Sequence, residues 1–437
     1  MPYYYLYLLI ATLIVFFLFV LKSPAKIFEY PYFMAAVMAI FVLPQAYSLI
    51  LFPGGVNMPE IKDMLLICSL CLWCCAFGYK FAPSVSIIRD ISRPVDLDRF
   101  LIVGVAFALV GLASGVFLPR DQVAFGSRGG LTGVATIYMF FGSLIYPGFA
   151  ICYYVFRKKI NFFTVSALAL SSISPLIAIV QGRREPTATV ILALAVTSYF
   201  LFRKPPNRVV VFVGLFFAML AIPATGDYRR IMHDEGISKI REVNLVENFK
   251  NFVTRESVLE LRNGAAIIES TRIQRRYGWG AGYWNLLVHR FVPAQIVGRQ
   301  TKEALLVGTN LEKIYSTELA TNYEISPGST ITGMGDSYEQ FGWFGCLFFA
   351  AVGMLFKSVW TAAMQPNAAF AQIFYIMICT SAMRAITHQT VDFVPAVTYQ
   401  LIFLGAGYLF ARIPDVPRLS RRAGARPPSP AKGKINQ

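Results

Sequence analysis

Eleven long apolar stretches limit the fold of this chain more than any other feature. A helix needs about 20 apolar residues to cross the roughly 30 Å hydrocarbon core of a membrane. The stretches cover residues 3–21, 31–52, 63–82, 100–118, 132–156, 162–180, 187–202, 209–224, 339–356, 369–387 and 392–411. The weakest are 187–202, which is short, and 339–356, which opens with polar residues. A composition of 56% hydrophobic and 15% charged residues, with a mean hydropathy of +0.54, agrees with this pattern. The sequence therefore predicts an all-α polytopic membrane protein with about eleven transmembrane helices.

The stretches divide the chain into four parts. Residues 1–224 predict a transmembrane bundle of about eight spans, 225–338 a large helical loop, and 339–411 a bundle of about three further spans. Residues 412–437 combine prolines with basic residues and predict a disordered tail. The first stretch follows no basic run and precedes no small-residue cleavage site, so we expect a retained span rather than a cleaved signal peptide.

The distribution of positive charge predicts the orientation. Half of the 40 lysines and arginines fall on one side of the predicted bundle, six occupy short loops on the other side, and the large loop holds the rest. Positive residues in short loops mark the cytoplasmic side. We therefore expect a cytoplasmic C-terminus and an external large loop. The formal charge of +16 then reflects topology and the tail, and we expect no nucleic-acid partner.

Three cysteines, Cys68, Cys71 and Cys75, would share one face of a helix. Such spacing can mark a metal site, but the predicted span contains no histidine, and its one acid, Asp63, stands at its first position. We interpret the cysteines as small packing residues and expect no metal.

Two adjacent arginines, Arg183 and Arg184, follow Gly182 in a tight turn on the predicted outer side. That side disfavours positive charge, so an anionic group is expected to offset them. The group is either a phosphate or diphosphate, which the bidentate guanidinium matches, or a lipid headgroup, or the neighbouring Glu185. A second short outer loop offers Arg120, as a further cation or as the partner of Asp121.

The large loop begins with helical patterns. Apolar residues recur every three or four positions over 237–253, which predicts an amphipathic helix lying on the membrane or on the bundle. A second helical run is predicted over about 255–275.

An arginine-rich and aromatic segment follows in the same loop. Its candidate cations are Arg276 and Arg290, and His289 is a candidate general base. Interleaved aromatic rings match the apolar face of a sugar ring, although membrane-interface belts use the same residues. The candidate sugar-stacking residues are Tyr277, Trp279, Tyr283, Trp284 and, beyond this segment, Tyr338.

The loop closes on two carboxylates, Asp336 and Glu339, which would lie on one face of a helix. They are candidates for a general base, and they also suit a helix N-terminus, whose macrodipole favours acids. Further along, His388 and Asp392 could act as base and orienting group, or His388 could be an isolated interfacial histidine.

In order of parts, the chain resembles the bacterial O-antigen and capsule repeat-unit polymerases, the Wzy-like family. The resemblance is carried by the many spans, the Gly182-Arg183-Arg184 turn, the large outer loop, the Gly-x-x-Tyr-Trp sequence ending at Trp284, and the closing glycine-rich motif around Asp336.

This resemblance implies a GT-C-like membrane glycosyltransferase in the bacterial inner membrane. Its substrates would be undecaprenyl-diphosphate-linked oligosaccharides, joined at the periplasmic face without a cofactor and with a chain-length regulator as a possible partner. Arg183, Arg184, Arg276 and Arg290 would hold the diphosphate. Asp336, Glu339 or His289 would accept the proton of the acceptor hydroxyl.

Three alternatives remain open. An O-antigen ligase shares the donor and differs in the acceptor. A flippase or other transporter should carry charges or broken helices at mid-membrane together with internal repeats. A structural scaffold of the assembly machinery would tolerate substitution of the arginines.

Overall fold

The computed structural model describes residues 2–83, 90–118, 124–125, 131–132, 134–234, 236–254, 260–308, 313–326 and 329–413. Within these ranges it contains eleven helices that are long and apolar enough to cross a membrane. This confirms the predicted fold class. Residues 119–123, 126–130, 255–259 and most of the tail lie outside the described ranges, and so do the predictions made for Arg120, for Asp121 and for a disordered tail.

The first eight spans are helical over nearly the predicted ranges. They are α1 (Pro2–Lys22), α2 (Tyr30–Val37) with α3 (Leu43–Leu51), α4 (Met58–Lys80), α5 (Leu97–Val116), α6 (Ala135–Gly142) with α7 (Ile145–Lys158), α8 (Phe162–Val180), α9 (Arg184–Phe202) and α10 (Arg208–Asp234). A π-helical turn, Met38–Val42, joins α2 to α3, so that the second span runs unbroken from Tyr30 to Leu51. Between α5 and α6, β1 (Ala124–Phe125) pairs antiparallel with β2 (Leu131–Thr132).

Shorter helices fill the large loop, and three spans follow it. The loop contains α11 (Leu245–Thr254), α12 (Glu260–Gln274), α13 (Ala281–Phe291), α14 (Ala294–Val297), α15 (Arg299–Ala304) and α16 (Lys313–Thr321). Next come α17 (Gly333–Phe341), α18 (Cys346–Ala363), α19 (Ala369–Thr387) and α20 (Phe393–Ala411). A 3₁₀ turn, Thr390–Asp392, connects α19 to α20. We call the end of the bundle that carries the loop helices the loop face, and the other end the opposite face.

Side-chain caps explain where several helices begin. Asp96 accepts hydrogen bonds from the backbone N–H groups of Asp98 and Arg99 at the start of α5. Asn161 and Thr164 form a reciprocal capping box at the start of α8. Both caps satisfy backbone donors that have no partner within the helix.

The centre of the bundle is built on close contacts of small residues between α4 and α18. A Cβ added at Gly78 would lie 2.0 Å from the carbonyl oxygen of Ala350, and one at Gly353 would lie 2.3 Å from that of Cys75. Cys68, Cys71 and Cys75 are all buried in this core. Their position agrees with the packing interpretation, since small side chains let helices approach closely.

Two helix boundaries in the loop differ from the sequence prediction. The eighth span was expected to end at residue 224, but α10 continues to Asp234. The expected helix over 237–253 is instead a 3₁₀ turn, Ile237–Glu242, followed by α11. The break occurs because Asn244 starts a new helix, its side-chain oxygen accepting a hydrogen bond from the N–H of Glu247 at 3.1 Å.

The loop helix α12 is buried in the bundle despite its polar composition. Every residue from Leu261 to Thr271 is buried. Gln45 of α3 caps its N-terminus, because the side-chain oxygen accepts a hydrogen bond from the N–H of Leu261 at 2.9 Å. A Cβ added at Gly335 of α17 would lie 2.6 Å from the Cα of Gly264. The second predicted helical run thus exists and forms part of the core on the loop face.

Candidate functional site

The arginine pair lies in a turn that α10 supports from the side. Gly182 has φ +67°, and a Cβ there would lie 2.6 Å from the ring of Tyr228. The Tyr228 hydroxyl donates to the carbonyl of Val180 at 2.8 Å, and Arg229 Nε donates to that of Gly182 at 3.0 Å. The part of α10 beyond its apolar stretch therefore fixes the turn. Arg183 and Arg184 remain exposed at its tip, and Arg184 Nε donates to Thr225 Oγ1.

Arg384, in the last turn of α19, links this turn to the connection before α20. Its guanidinium lies 3.6 Å from Glu185 Oε1 and 3.4 Å from Asp392 Oδ2. The side chain of Arg384 is 30% exposed. Two parts of the chain that are far apart in sequence therefore meet at one point of the loop face.

Arg290, in the last turn of α13, approaches the same point. Its guanidinium lies over the ring of Tyr399, 5.4 Å from the centroid. Partial burial and the neighbouring charge of Arg384 lower its pKa, while Tyr399, Asp392 and Glu185 act in the opposite direction. Arg290 and Arg384 are thus close enough to repel one another.

We call Arg184, Arg290 and Arg384, with Glu185 and Asp392, the arginine cluster. These five side chains carry three positive and two negative charges, and Arg184 also lies near the charges of Arg229 and Glu260. Permanently charged guanidinium groups brought together in this way suit a polyanion, because each can form bidentate hydrogen bonds with phosphate oxygens.

A histidine, His388, borders the cluster on the chain between Arg384 and Asp392. Its Nδ1 lies 2.8 Å from Thr387 Oγ1. The surrounding protein removes part of its hydration, and Arg384 and Arg184 add repulsion, which together lower its pKa to about 4. The imidazole is therefore neutral at neutral pH and is a weaker base than an ordinary histidine.

Asp336 lies beneath the cluster and is fully buried. Thr332 caps the helix that carries it, accepting a hydrogen bond from the N–H of Gly335. The Asp336 carboxylate accepts hydrogen bonds from Thr390 Oγ1 and, at 3.0 Å, from the N–H of Val391. It thereby holds the Thr390–Asp392 turn, and with it one anion of the cluster.

Tyr283 extends this buried network. Its hydroxyl lies 2.8 Å from Thr390 Oγ1, and burial, together with the charge of Asp336, raises its pKa well above the usual range. Its ring is stacked on Phe348, with centroids 5.4 Å apart. Tyr283, a predicted sugar-stacking residue, thus contributes to the packing between α13 and α18.

Glu339 and the glycine-rich segment before α13 form a second contact. The N–H groups of Gly278 and Trp279 donate to the carbonyls of Glu339 and Gln340 at 2.9 and 2.8 Å. Gln340 Oε1 accepts from the N–H of Gly280 at 3.1 Å, and so satisfies a donor at the start of α13. Glu339 is half-buried, and its carboxylate accepts a hydrogen bond from Gln340 Nε2.

The remaining predicted sugar-stacking rings differ in exposure. Trp279 is 72% exposed and Trp284 is 48% exposed, with its Nε1 donating to the carbonyl of Leu305 at 2.8 Å. Tyr338 is only 3% exposed, and Tyr277 packs edge-to-face against both Tyr338 and Trp279. Trp279 and Trp284 are therefore the most exposed of the predicted sugar-stacking rings.

Arg276 and His289 complete the predicted set. Arg276 is exposed and precedes α13, whereas Arg290 lies in the last turn of that helix, roughly 15 Å away along the axis. His289 is exposed beside Arg290 in sequence. The structure therefore brings Arg290 close to Arg384, which in turn pairs with Glu185 beside Arg184 in the chain. Arg276 lies at the other end of α13.

Arg384 is the cluster residue that was not predicted from the sequence. The available signal was a lone arginine on the side of the bundle that disfavours positive charge, the same signal that identified the arginine pair.

Within the described ranges, no group of three or more histidine, cysteine, aspartate or glutamate side chains could hold a metal ion. The chain matches no known family, no curated protein and no solved structure.

Proposed function

We propose that this multi-pass membrane protein is a glycosyltransferase that joins undecaprenyl-diphosphate-linked oligosaccharides into a polymer at the periplasmic face of the bacterial inner membrane. The observation that carries the proposal is the arginine cluster, because a lipid diphosphate is a polyanion presented at the membrane surface. The distribution of positive charge among the short loops supports an external loop face.

In the proposed reaction, an acceptor sugar hydroxyl attacks the anomeric carbon of the donor glycan. A new glycosidic C–O bond forms, and the C–O bond to the lipid diphosphate breaks. The diphosphate leaves with the bonding electron pair, and the hydroxyl proton passes to a base. Arg184, Arg290 and Arg384 stabilise the charge that develops on the leaving group.

Four groups are candidates for the base. Glu339, His289 and His388 were candidates from the sequence, and His388 also borders the cluster and is neutral at neutral pH. Asp336 remains a candidate, but its burial and its bonds to Thr390 and Val391 favour a positioning role.

Single substitutions in the cluster test the proposal. In a host that makes the polymer, deleting the gene should collapse the glycan ladder to a single repeat. Arg290→Ala and Arg384→Ala should each reduce polymer formation by about 10²- to 10³-fold, the usual effect of removing one group that stabilises developing charge. Arg299→Ala, an exposed loop arginine outside the cluster, is the matched control and should leave the ladder unchanged.

Other outcomes would refute the proposal. If both cluster variants insert correctly and make polymer of normal length and yield, the cluster does not bind the diphosphate. If deletion leaves long glycans unattached on the lipid carrier, the protein is a ligase. If repeat units stay on the cytoplasmic side, it is a transporter.

A further inference from the structure

A cavity of about 480 Å³ opens on the opposite face, far from the arginine cluster. It lies where α7 and α9 end, beside the 3₁₀ turn Pro24–Phe28 that follows α1. Its volume falls in the range of about 300–1,000 Å³ that is typical of small-ligand sites. The glycosyl transfer proposed above makes no use of this cavity.

The cavity has an apolar wall. Phe28 and Tyr199 stack on one another with centroids 4.8 Å apart, and Ala195 continues the wall one helical turn earlier along α9. Ser198 adds one polar group, its hydroxyl lying 3.2 Å from that of Tyr153. This part of the lining suits a hydrocarbon or glycerol segment.

Two cations line the same cavity. The Arg157 guanidinium lies 4.6 Å from the centroid of the Phe202 ring, which holds it at the end of α7. Lys204 lies two residues beyond the end of α9. The residue between Phe202 and Lys204, Arg203, points elsewhere and donates to the carbonyl of Met364 at 2.9 Å.

Among the described residues that line the cavity, none is an aspartate or a glutamate. The nearby acid Glu29 follows Phe28 in the chain, and the charges of Lys357 and Lys26 lie near it. The cavity therefore combines an apolar wall with a net positive charge.

We propose that this cavity binds the phosphate headgroup of an anionic phospholipid. Arg157 and Lys204 would contact the phosphate, and the glycerol and upper acyl chain would lie against Phe28 and Tyr199. Two observations favour a lipid over a soluble anion: the apolar wall, and the location of the cavity where spans end. Basic pockets between transmembrane helices on the positively charged side commonly hold such headgroups.

The competing explanation is that Arg157 and Lys204 serve only membrane orientation, since positive residues accumulate on one side for that reason alone. This explanation predicts that removing any two positive charges from the opposite face has the same effect on lipid binding. A comparison of variants with equal net charge therefore separates the two explanations.

The test measures lipid binding to the full-length protein by native mass spectrometry, with phosphatidylglycerol compared against phosphatidylcholine. Arg157→Gln with Lys204→Gln should weaken phosphatidylglycerol binding by about 30-fold, from the attraction typical of two basic residues beside an anionic headgroup. The control is Lys158→Gln with Lys159→Gln, which removes the same charge next to the cavity. These lysines bond to Asn367 and Asp98, and the control should bind lipid normally.

A second variant keeps both charges and fills the cavity. Ala195→Phe should weaken phosphatidylglycerol binding in the same way, whereas the orientation explanation predicts no change. A third arm adds glycerol 3-phosphate to the delipidated protein. Equal lipid binding by all variants would overturn the proposal. Tight binding of glycerol 3-phosphate that depends on Arg157 and Lys204 would also overturn it, because the ligand would then be a soluble anion.

Discussion

Replacing Asp336 with alanine is expected to open the Thr390–Asp392 turn while the bundle stays folded. The buried carboxylate accepts hydrogen bonds from Thr390 Oγ1 and from the N–H of Val391. Hydrogen bonds to a charged group contribute about 1.5–3 kcal/mol each, and alanine would leave the Val391 N–H buried without its acceptor. Since about 1.4 kcal/mol corresponds to a tenfold change in an equilibrium, losing this bond should raise the open population of the turn by about 10- to 150-fold.

Hydrogen–deuterium exchange measures this opening directly, because the Val391 amide is itself one of the two donors. The expected result for Asp336→Ala in lipid nanodiscs is exchange at Val391 that is faster by that factor. Thr390→Val leaves the Val391 bond in place and should give a smaller increase. Glu339→Gln, one turn along the same helix, is the control and should leave exchange at Val391 unchanged.

Exchange of Val391 at the wild-type rate in Asp336→Ala would contradict this role of the carboxylate. The carboxylate would then not hold the turn, and a positioning role would not explain why Asp336 is buried. Asp336 would then be a leading candidate for the general base.

Three further predictions concern the loop face. In an NMR titration of protein with labelled histidine, His388 should titrate near pH 4. Arg384→Gln should raise the pKa of His388, because it removes a neighbouring positive charge. An unchanged pKa would show that Arg384 lies too far away to act. Because the unfolded chain binds this proton near pH 6.5, the contribution of His388 to stability should be complete above that pH and should be lost as the pH falls towards 4. Gly333→Ala should destabilise the protein by about 1–3 kcal/mol in thermal unfolding, because its Cβ would lie 1.6 Å from the carbonyl oxygen of Ala385. Gly405→Ala, with no atom within 4 Å of the added Cβ, is the control, and equal stability of the two variants would contradict the close approach of α17 and α19.

The spans could be predicted because backbone N–H and C=O groups without hydrogen bonds are costly in lipid, and long apolar helices satisfy these groups internally. Hydropathy was less informative about where helices end. The apolar part of α10 stops near Ala224, and the helix continues to Asp234 because its hydrogen bonds do not depend on side-chain polarity. The burial of α12 was not predicted either, since residues such as Arg262 and Asn263 give no hydrophobic pattern.

The chemistry of the site could be predicted in part. The arginine pair was visible as positive charge on the unfavourable side, and α17 was correctly expected to carry Asp336 and Glu339 on a helix. The meeting of Arg290 with Arg384 was not visible, because it depends on how α13 packs against α20. The same is true of the role of Gln340, which follows from a contact between distant segments.

Because α12 is buried between segments made before and after it, its contacts form in a fixed order during synthesis. Its cap, Gln45, and its neighbour α4 precede it in the chain and are inserted before it is made. Gly335 of α17, which closes the other side, emerges only after the whole loop. When α12 has just been synthesised, only the side that faces α3 and α4 can be covered. The loop face reaches its final form only once the last three spans have entered the membrane.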